Sequence, residues 1–179
     1  MKNKKLLLSM LFLLSLIFLA SCRAPQPTPH GGPIDRPLYV LKDPSIGPWD
    51  STHEHTAFLI FINGNVLDLS KPEYMVRARR VHIEGLDGII IHKHATGITI
   101  GHFLETLGMG FDENCFVDDK GNSYCNNDDK NLKFYVNEKL NNDFDNYIIK
   151  DNDRLLISYG NEDDVNGQLN FLNSIKIGP

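Results

Sequence analysis

Residues 81–108 read VHIEGLDGIIIHKHATGITIGHFLETLG, two short strand-like segments followed by a helix-like segment. The first part predicts a β-hairpin, because Val81–Glu84 and Ile89–Lys93 flank a Gly-Leu-Asp-Gly turn sequence. The second part predicts a short helix, with Thr99 as its N-cap and Gly108 just beyond its C-terminus. This order, a hairpin and then a helix, decides the class of fold that the rest of the chain must fit.

The register of this hairpin decides how its two histidines lie relative to each other. A three-residue loop, Leu86-Asp87-Gly88, with Gly88 in the left-handed conformation, is a common connection and would place His82 directly opposite His92. A four-residue loop would put the two imidazoles on opposite faces, because side chains alternate along a strand. Both registers are compatible with the sequence.

Similar hairpin signals occur on both sides of this stretch. Ala57–Ile62 is an apolar strand followed by Asn63-Gly64, which favours a type I′ turn because both central positions of that turn have positive φ. Residues 113–126 predict a third hairpin that turns at Asp119-Lys120-Gly121. Further strands are predicted at Leu132–Val136 and, after an acidic turn, at Arg154–Tyr159.

The C-terminal segment predicts a second helix. Asn161 is a candidate N-cap, and Val165, Leu169 and Leu172 form an apolar stripe at helical spacing. Together with the hairpins, this order predicts an α+β fold: a β-grasp-like mixed sheet built from hairpins, with one short central helix and a C-terminal helix. A fold of this class does not define an activity by itself.

The N-terminus has the pattern of an export signal. Lysines precede an apolar run, Leu6–Ala20, that is too short for an ordinary membrane-spanning helix. The run ends in Leu19-Ala20-Ser21-Cys22, which resembles the lipobox of bacterial and some archaeal lipoproteins, whose cysteine is lipidated and becomes the new N-terminus. We therefore predict a signal peptide over residues 1–21 and membrane anchoring through Cys22, at the cell surface or on the periplasmic side. An ordinary signal peptide or an uncleaved anchor would also place the rest of the chain outside the cytoplasm.

The remaining chain divides into a tether and one domain. Residues 22–37 are rich in proline and glycine and predict a semi-extended tether, whereas residues 38–179 predict a single globular domain. The formal net charge of the full sequence is −5, and it becomes more negative when the three lysines of the signal are removed. An acidic surface argues against a nucleic-acid partner, and any contact with the membrane is expected to come from lipid on Cys22. The sequence identifies no protein partner.

Two cysteines remain in the predicted domain. A three-residue turn would make Cys115 and Cys125 cross-strand partners, and such a pair is expected to be oxidised outside the cytoplasm. The chain has no Cys-x-x-Cys sequence, so a structural disulfide is favoured over a redox centre.

The histidines of the predicted domain include two His-x-His doublets. His92-x-His94 on a strand directs both imidazoles to one face, and His53-x-His55 does the same if the strand has begun by then. Doublets on neighbouring strands can converge on one ion; zinc accepts three or four imidazole nitrogens, and copper(II) also suits imidazole. We therefore predict a zinc or copper site whose candidate ligands are His53, His55, His92, His94 and His82.

Three other side chains in or near these strands are assigned different roles. Glu84 alternates onto the face of His82 and is a candidate ligand or a hydrogen-bond acceptor behind one. Glu54 is predicted to point away from its flanking histidines. His102 lies in the predicted helix, where a position at the surface or at the helix terminus is expected.

Several stretches resemble an uncharacterised group of exported or membrane-anchored archaeal and bacterial histidine-rich domains. They are residues 53–64 (HEHTAFLIFING), 81–101, Cys115–Cys125 and 153–160 (DRLLISYG), so the resemblance covers about residues 50–165. Some members of the group are labelled protein-disulfide isomerases. Because this chain lacks the Cys-x-x-Cys sequence that such an activity needs, the resemblance implies a family and not an activity.

These observations predict an exported, lipid-anchored domain that binds zinc or copper for sequestration, delivery or sensing, without enzymatic activity. One alternative is a β-grasp-like interaction or ligand-binding module outside the cytoplasm, with structural or surface histidines. A second is a metal-dependent hydrolase, in which an open coordination position activates water near Glu84 or Glu105. The sequence contains neither a His-Glu-x-x-His nor a Gly-x-Ser-x-Gly motif.

Overall fold

The computed structural model describes residues 38–161 and 165–178. The predicted signal peptide, Cys22 and the tether therefore lie outside the described residues. The strands within them are β1 (Glu54–Ile62), β2 (Asn65–Val66), β3 (Val81–His82), β4 (Ile90–Lys93), β5 (Gly110–Phe111), β6 (Cys115–Val117), β7 (Ser123–Cys125), β8 (Asn131–Val136), β9 (Lys139–Leu140) and β10 (Arg154–Gly160). The helices are α1 (Ile100–Thr106) and α2 (Asn166–Ser174), and two short 3₁₀ turns occur at Pro72–Tyr74 and Phe144–Asn146.

The main sheet is mixed, with β1 and β10 as a parallel pair at its centre. The strand order is β3-β4-β1-β10-β8-β9, and β2 also pairs with β1 as the second strand of its hairpin. The other pairings between the named strands of this sheet, within the described residues, are antiparallel. A second, smaller sheet has the order β5-β6-β7. These features confirm the predicted β-grasp-like α+β class with one short central helix and one C-terminal helix.

Strand β1 is buried on both faces because the sheet separates two apolar layers. Phe58 and Ile60 face the larger core, which also contains Phe103 and Leu104 of α1. The alternate side chains face α2 in a smaller core whose members include Ala57, Leu59, Phe61, Leu169 and Leu172. A strand enclosed in this way reads as a continuous apolar run, which is the pattern of residues 57–62.

The hairpin after β1 forms as predicted. Asn63 and Gly64 both have positive φ, 50° and 77°, and the flanking residues Ile62 and Asn65 pair across the turn. A type I′ turn requires this conformation at both central positions.

The β3–β4 hairpin decides between the two registers that the sequence left open. His82 pairs directly with His92, and Val81 pairs with Lys93, so the register that places the two histidines opposite each other forms. The predicted three-residue loop is wrong, because β3 ends at His82 and seven residues, 83–89, connect the strands. The physical reason is that Ile83 leaves the hairpin, becomes fully buried, and forms a parallel bridge with Met75.

The ends of the two helices differ in how well they follow the sequence signals. Thr99 caps α1 by accepting a hydrogen bond from the backbone of His102, and Gly108 follows the last turn with φ of 77°, both as predicted. The prediction of Asn161 as the cap of α2 is wrong, because the N-cap position is Val165. Val165 is 5% exposed, so burial of the apolar stripe fixes the start of this helix without a side-chain cap.

No helix among residues 38–161 and 165–178 is long and apolar enough to cross a membrane.

Candidate metal centre

Three neighbouring strands bring histidines into one row on one face of the sheet. His55 on β1 pairs with His92 on β4, and His92 pairs in turn with His82 on β3. Directly paired residues share a face, so these three imidazoles lie side by side. His53 precedes His55 by two residues and His94 follows His92 by two, so both lie on the same face, at the same end of the antiparallel pair β1–β4.

The five imidazoles form a closed ring, which we call the five-histidine cluster. Each imidazole has two neighbours in this ring, and the distances between ring centroids are all between 4.7 and 5.8 Å. In order around the ring, the pairs are His53–His55 (4.8 Å), His55–His92 (4.7 Å), His92–His82 (5.8 Å), His82–His94 (5.1 Å) and His94–His53 (4.7 Å).

These spacings suit shared coordination of a metal ion. Two imidazoles on one tetrahedral zinc, with Zn–N bonds of about 2.0–2.1 Å, have ring centroids about 5 Å apart. The tightest group is His53, His55 and His92, in which one nitrogen of each ring lies within 4.8 Å of the others. Ligand nitrogens on a tetrahedral ion are about 3.4 Å apart, so small side-chain rotations are sufficient to bring these three onto one ion.

The surroundings of His92 and His94 favour the neutral form of each imidazole by lowering its pKa. Burial lowers the pKa of His92 to about 4; Glu84 opposes this shift, whereas His55 and His82 add to it. Burial also lowers the pKa of His94, with His82 and His53 acting in the same direction. A neutral imidazole is the form that binds a metal ion, so neither residue needs to lose a proton near neutral pH.

His82 is the most enclosed member of the cluster, and its orientation is fixed by the backbone. Its side chain contacts the carbonyl of Ala78 at 2.9 Å through Nδ1, and because a carbonyl only accepts, Nδ1 carries the proton. The other nitrogen, Nε2, lies 3.5 Å from a carboxylate oxygen of Glu84. A metal-binding histidine usually donates the N–H of one ring nitrogen to an acceptor such as a backbone carbonyl, while its other ring nitrogen is directed at the ion. His82 has this arrangement.

Glu84 also approaches His92. Its second carboxylate oxygen lies 3.9 Å from Nδ1 of His92. This position is compatible with both roles predicted for Glu84, a ligand or an acceptor behind a ligand.

The opposite face of the same strands carries an ion pair, which sequence reasoning missed. Glu54 points away from the histidines, as predicted, and its carboxylate lies 2.6 Å from the ammonium group of Lys93. Lys93 is almost completely buried and also donates to the carbonyl of Ile149. The pair therefore ties β1 to β4 at the level of the cluster. The opposite charges were visible in the sequence, but their pairing depends on the strand register.

Backbone contacts hold the outer ends of the cluster. The amide of His55 donates to the carboxylate of Asp151, and the amide of Asn152 donates to the carbonyl of His55. The amide of His94 donates to Arg80, and the carbonyl of His94 accepts from Asp50. Hydrogen bonds therefore fix the backbone of both doublets, although His53 and His94 lie just outside the regular strands.

A groove of about 250 Å³ lies near the backbone partners of His94. Its lining includes Arg80, whose carbonyl accepts from the amide of His94, and Trp49, which precedes Asp50. The guanidinium of Arg79 lies 5.4 Å from the centre of the Trp49 ring. Trp49 is 52% exposed. The histidines of the cluster are not among the residues that line this groove.

His102 and the cysteines lie in other structural features. The Nδ1 atom of His102 accepts from the amide of Thr99, and its Nε2 atom lies 3.1 Å from a carboxylate oxygen of Asp43, so this histidine belongs to the N-terminal cap of α1. Cys115 and Cys125 pair across β6 and β7 and form a disulfide bond, as predicted.

No family model matches this sequence, and no curated protein or solved structure matches it at a significant level. The resemblance to exported histidine-rich domains therefore remains a prediction from the quoted motifs.

Proposed function

We propose that this protein is an exported, lipid-anchored domain that binds a zinc or copper(II) ion at the five-histidine cluster. Its role in this proposal is to sequester, deliver or sense the metal, without catalysing a reaction. The observation that carries the proposal is the convergence of His53, His55 and His92, whose ligand nitrogens lie within 4.8 Å of one another.

The chemistry of the donors selects this class of metal. Imidazole nitrogens suit zinc and copper(II), whereas calcium and magnesium require mainly oxygen ligands. The graded exposure of the cluster also suits reversible binding. His53 is exposed, His55 and His92 are partly buried, and His82 is buried, so an ion can enter at His53 and reach more enclosed ligands.

The export half of the proposal rests on the lipobox-like sequence ending at Cys22 and on the disulfide bond. A Cys115–Cys125 disulfide fits an oxidising compartment, because thiols are kept reduced in the cytoplasm. Mass spectrometry of the mature protein tests this half directly. The expected result is an N-terminal Cys22 carrying acyl chains, and an unmodified Met1 at the N-terminus would contradict it.

Metal binding is tested on tag-free protein by elemental analysis after dialysis and by calorimetric titration with Zn²⁺ and Cu²⁺. We expect at least one equivalent of metal in the wild-type protein. The double variant His55→Gln/His92→Gln should bind an ion at the site of His53, His55 and His92 at least about 100-fold more weakly, because even residues behind a ligand contribute 10–100-fold to affinity. Wild-type protein that binds neither ion would contradict the proposal.

His102→Gln is the matched control. It removes one imidazole from the same domain but leaves the cluster intact, since His102 contacts Thr99 and Asp43 instead. Its metal affinity should equal that of the wild type. An equal loss in both variants would show that binding depends on histidine content and not on the cluster.

A further inference from the structure

The five-histidine cluster contains more donors than one ion can use. A structural zinc site takes four ligands, and imidazole sites for copper(II) have four close ligands. The cluster offers five imidazoles, and Glu84 adds a carboxylate 3.5 Å from one of them. If His53, His55 and His92 hold one ion, the remaining donors are His82, His94 and Glu84.

Two spacings within this remaining set, His82 to His94 and His82 to Glu84, are close to those of ligands on a common ion. The His82 and His94 rings have centroids 5.1 Å apart, close to the value of about 5 Å for two imidazoles on one tetrahedral zinc. The 3.5 Å between Nε2 of His82 and the Glu84 oxygen is close to the separation of about 3.4 Å between two such ligand atoms.

The orientation of His82 supplies a second, independent argument. The Ala78 carbonyl fixes Nδ1 as the protonated nitrogen, so the lone pair of a neutral His82 is directed from Nε2 toward Glu84. The distance from Nε2 to the carboxylate exceeds the range of about 2.7–3.2 Å that is usual for N–H···O hydrogen bonds. A cation bound between these two atoms could be coordinated by both.

We propose that the cluster binds two transition-metal ions, the second of them held by His82, His94 and Glu84. This inference rests on the proposed function, since the first ion occupies the site of His53, His55 and His92. The two triads share no residue and face each other across ring contacts of 4.7 Å (His53–His94) and 5.8 Å (His82–His92), so the ions lie a few ångströms apart.

The stoichiometry of Cu²⁺ binding to the tag-free protein tests the inference. Two equivalents are expected by calorimetric titration, confirmed by elemental analysis after dialysis. One equivalent would overturn the second ion and leave the proposed function standing. No binding would overturn both.

Electron paramagnetic resonance provides a readout that a purely structural role would not produce. Two Cu²⁺ ions a few ångströms apart are magnetically coupled, so the fully loaded protein should show a half-field transition and a spectral intensity below that of two isolated ions. The half-field transition should be missing at one equivalent if the first ion binds more tightly. Two equivalents with the full intensity of isolated ions would overturn the adjacent placement.

Variants assign the ligands of each ion. Glu84→Gln/His94→Gln should lose one equivalent and the half-field transition while keeping the other equivalent. His53→Gln/His55→Gln should also lose one equivalent, but retain the ion held by Glu84. Retention of two equivalents in Glu84→Gln/His94→Gln would overturn the assignment. Circular dichroism checks that the double variant folds. If it does not fold, Glu84→Gln alone replaces it, and this single variant should weaken one of the two binding steps.

Discussion

The imidazole of His92 shows how burial prepares a residue for metal binding. Its pKa is lowered to about 4, chiefly because burial disfavours the charged form, and the neighbouring histidines strengthen this effect. His94 is shifted in the same direction for the same reason. The sequence predicts which histidines share a face, because His-x-His on a strand requires it. It does not reveal this burial, or the Ala78 carbonyl behind His82, because both depend on how distant segments pack.

The lowered pKa of His92 predicts that the metal-free protein loses stability in acid. An unfolded chain binds a proton at this histidine below about pH 6.5, whereas the folded protein binds it only near pH 4. The unfolded state therefore holds more protons between these values, and stability rises with pH across this window and falls on acidification. After a discount for partial solvent screening, lowering the pH from 7 to 5 should cost about 1 kcal/mol at this residue.

Urea unfolding in the presence of a chelator, at pH 7 and at pH 5, measures this loss. Other groups also titrate in this range, so the informative quantity is the difference between wild type and His92→Gln. The variant should show the smaller decrease in unfolding free energy. Identical decreases in the two proteins would contradict the assignment of the effect to His92.

At the level of the elements, the loop between β3 and β4 separates what the sequence could predict from what it could not. Strand alternation, a local property, limits His82 and His92 to two arrangements, directly opposite each other or on opposite faces, and the sequence leaves both open. The path of residues 83–89 is not a local property, because Ile83 pairs with Met75, a residue of the preceding connector. The same limit applies to α2, whose start at Val165 is set by packing and not by the Asn161 signal.

Two glycines of this loop predict different costs for the same substitution. Gly85 and Gly88 have nearly equal positive φ, 69° and 66°. A Cβ at Gly85 would meet nothing within 4 Å, whereas one at Gly88 would lie 2.4 Å from the backbone nitrogen of Ser70. Gly85→Ala should therefore cost about 1 kcal/mol through its backbone conformation alone. Gly88→Ala should cost about 3 kcal/mol, because backbone atoms must also move.

Equilibrium unfolding of the two variants measures these costs, and Gly85→Ala is the matched control for Gly88→Ala. Equal costs would show that the contact between the loop and Ser70 is not tight in solution. The loop carries Glu84, so we also expect Gly88→Ala to weaken metal binding more than Gly85→Ala does.

For the molecule as a whole, the metal site and the fold are coupled because the cluster joins three strands. The proposed first ion would link β1 to β4 through His55 and His92, and the proposed second ion would link β3, through His82, to His94 at the end of β4. The Glu54–Lys93 pair already ties β1 to β4 on the opposite face. Because this ion pair also holds β1 and β4 together, their pairing does not depend on the metal alone. The metal-free protein should therefore fold.

This coupling predicts that zinc or copper stabilises the folded protein without being required for folding. A ligand that binds only the folded state at 100 times its dissociation constant adds about 2.7 kcal/mol, which for a domain of this size raises Tm by about 5–10 °C. Copper(II) should give the larger shift at equal concentration, because nitrogen sites bind it more tightly than zinc. Thermal unfolding with each ion, and after addition of a chelator, measures the effect.

The variant His55→Gln/His92→Gln should lose the part of the Tm shift that the first ion causes. His102→Gln should keep the full shift, since the imidazole of His102 contacts Asp43 and not the cluster. A metal-free protein that is unfolded at room temperature would show instead that the ion, and not the ion pair with the two apolar layers, holds β1 and β4 together.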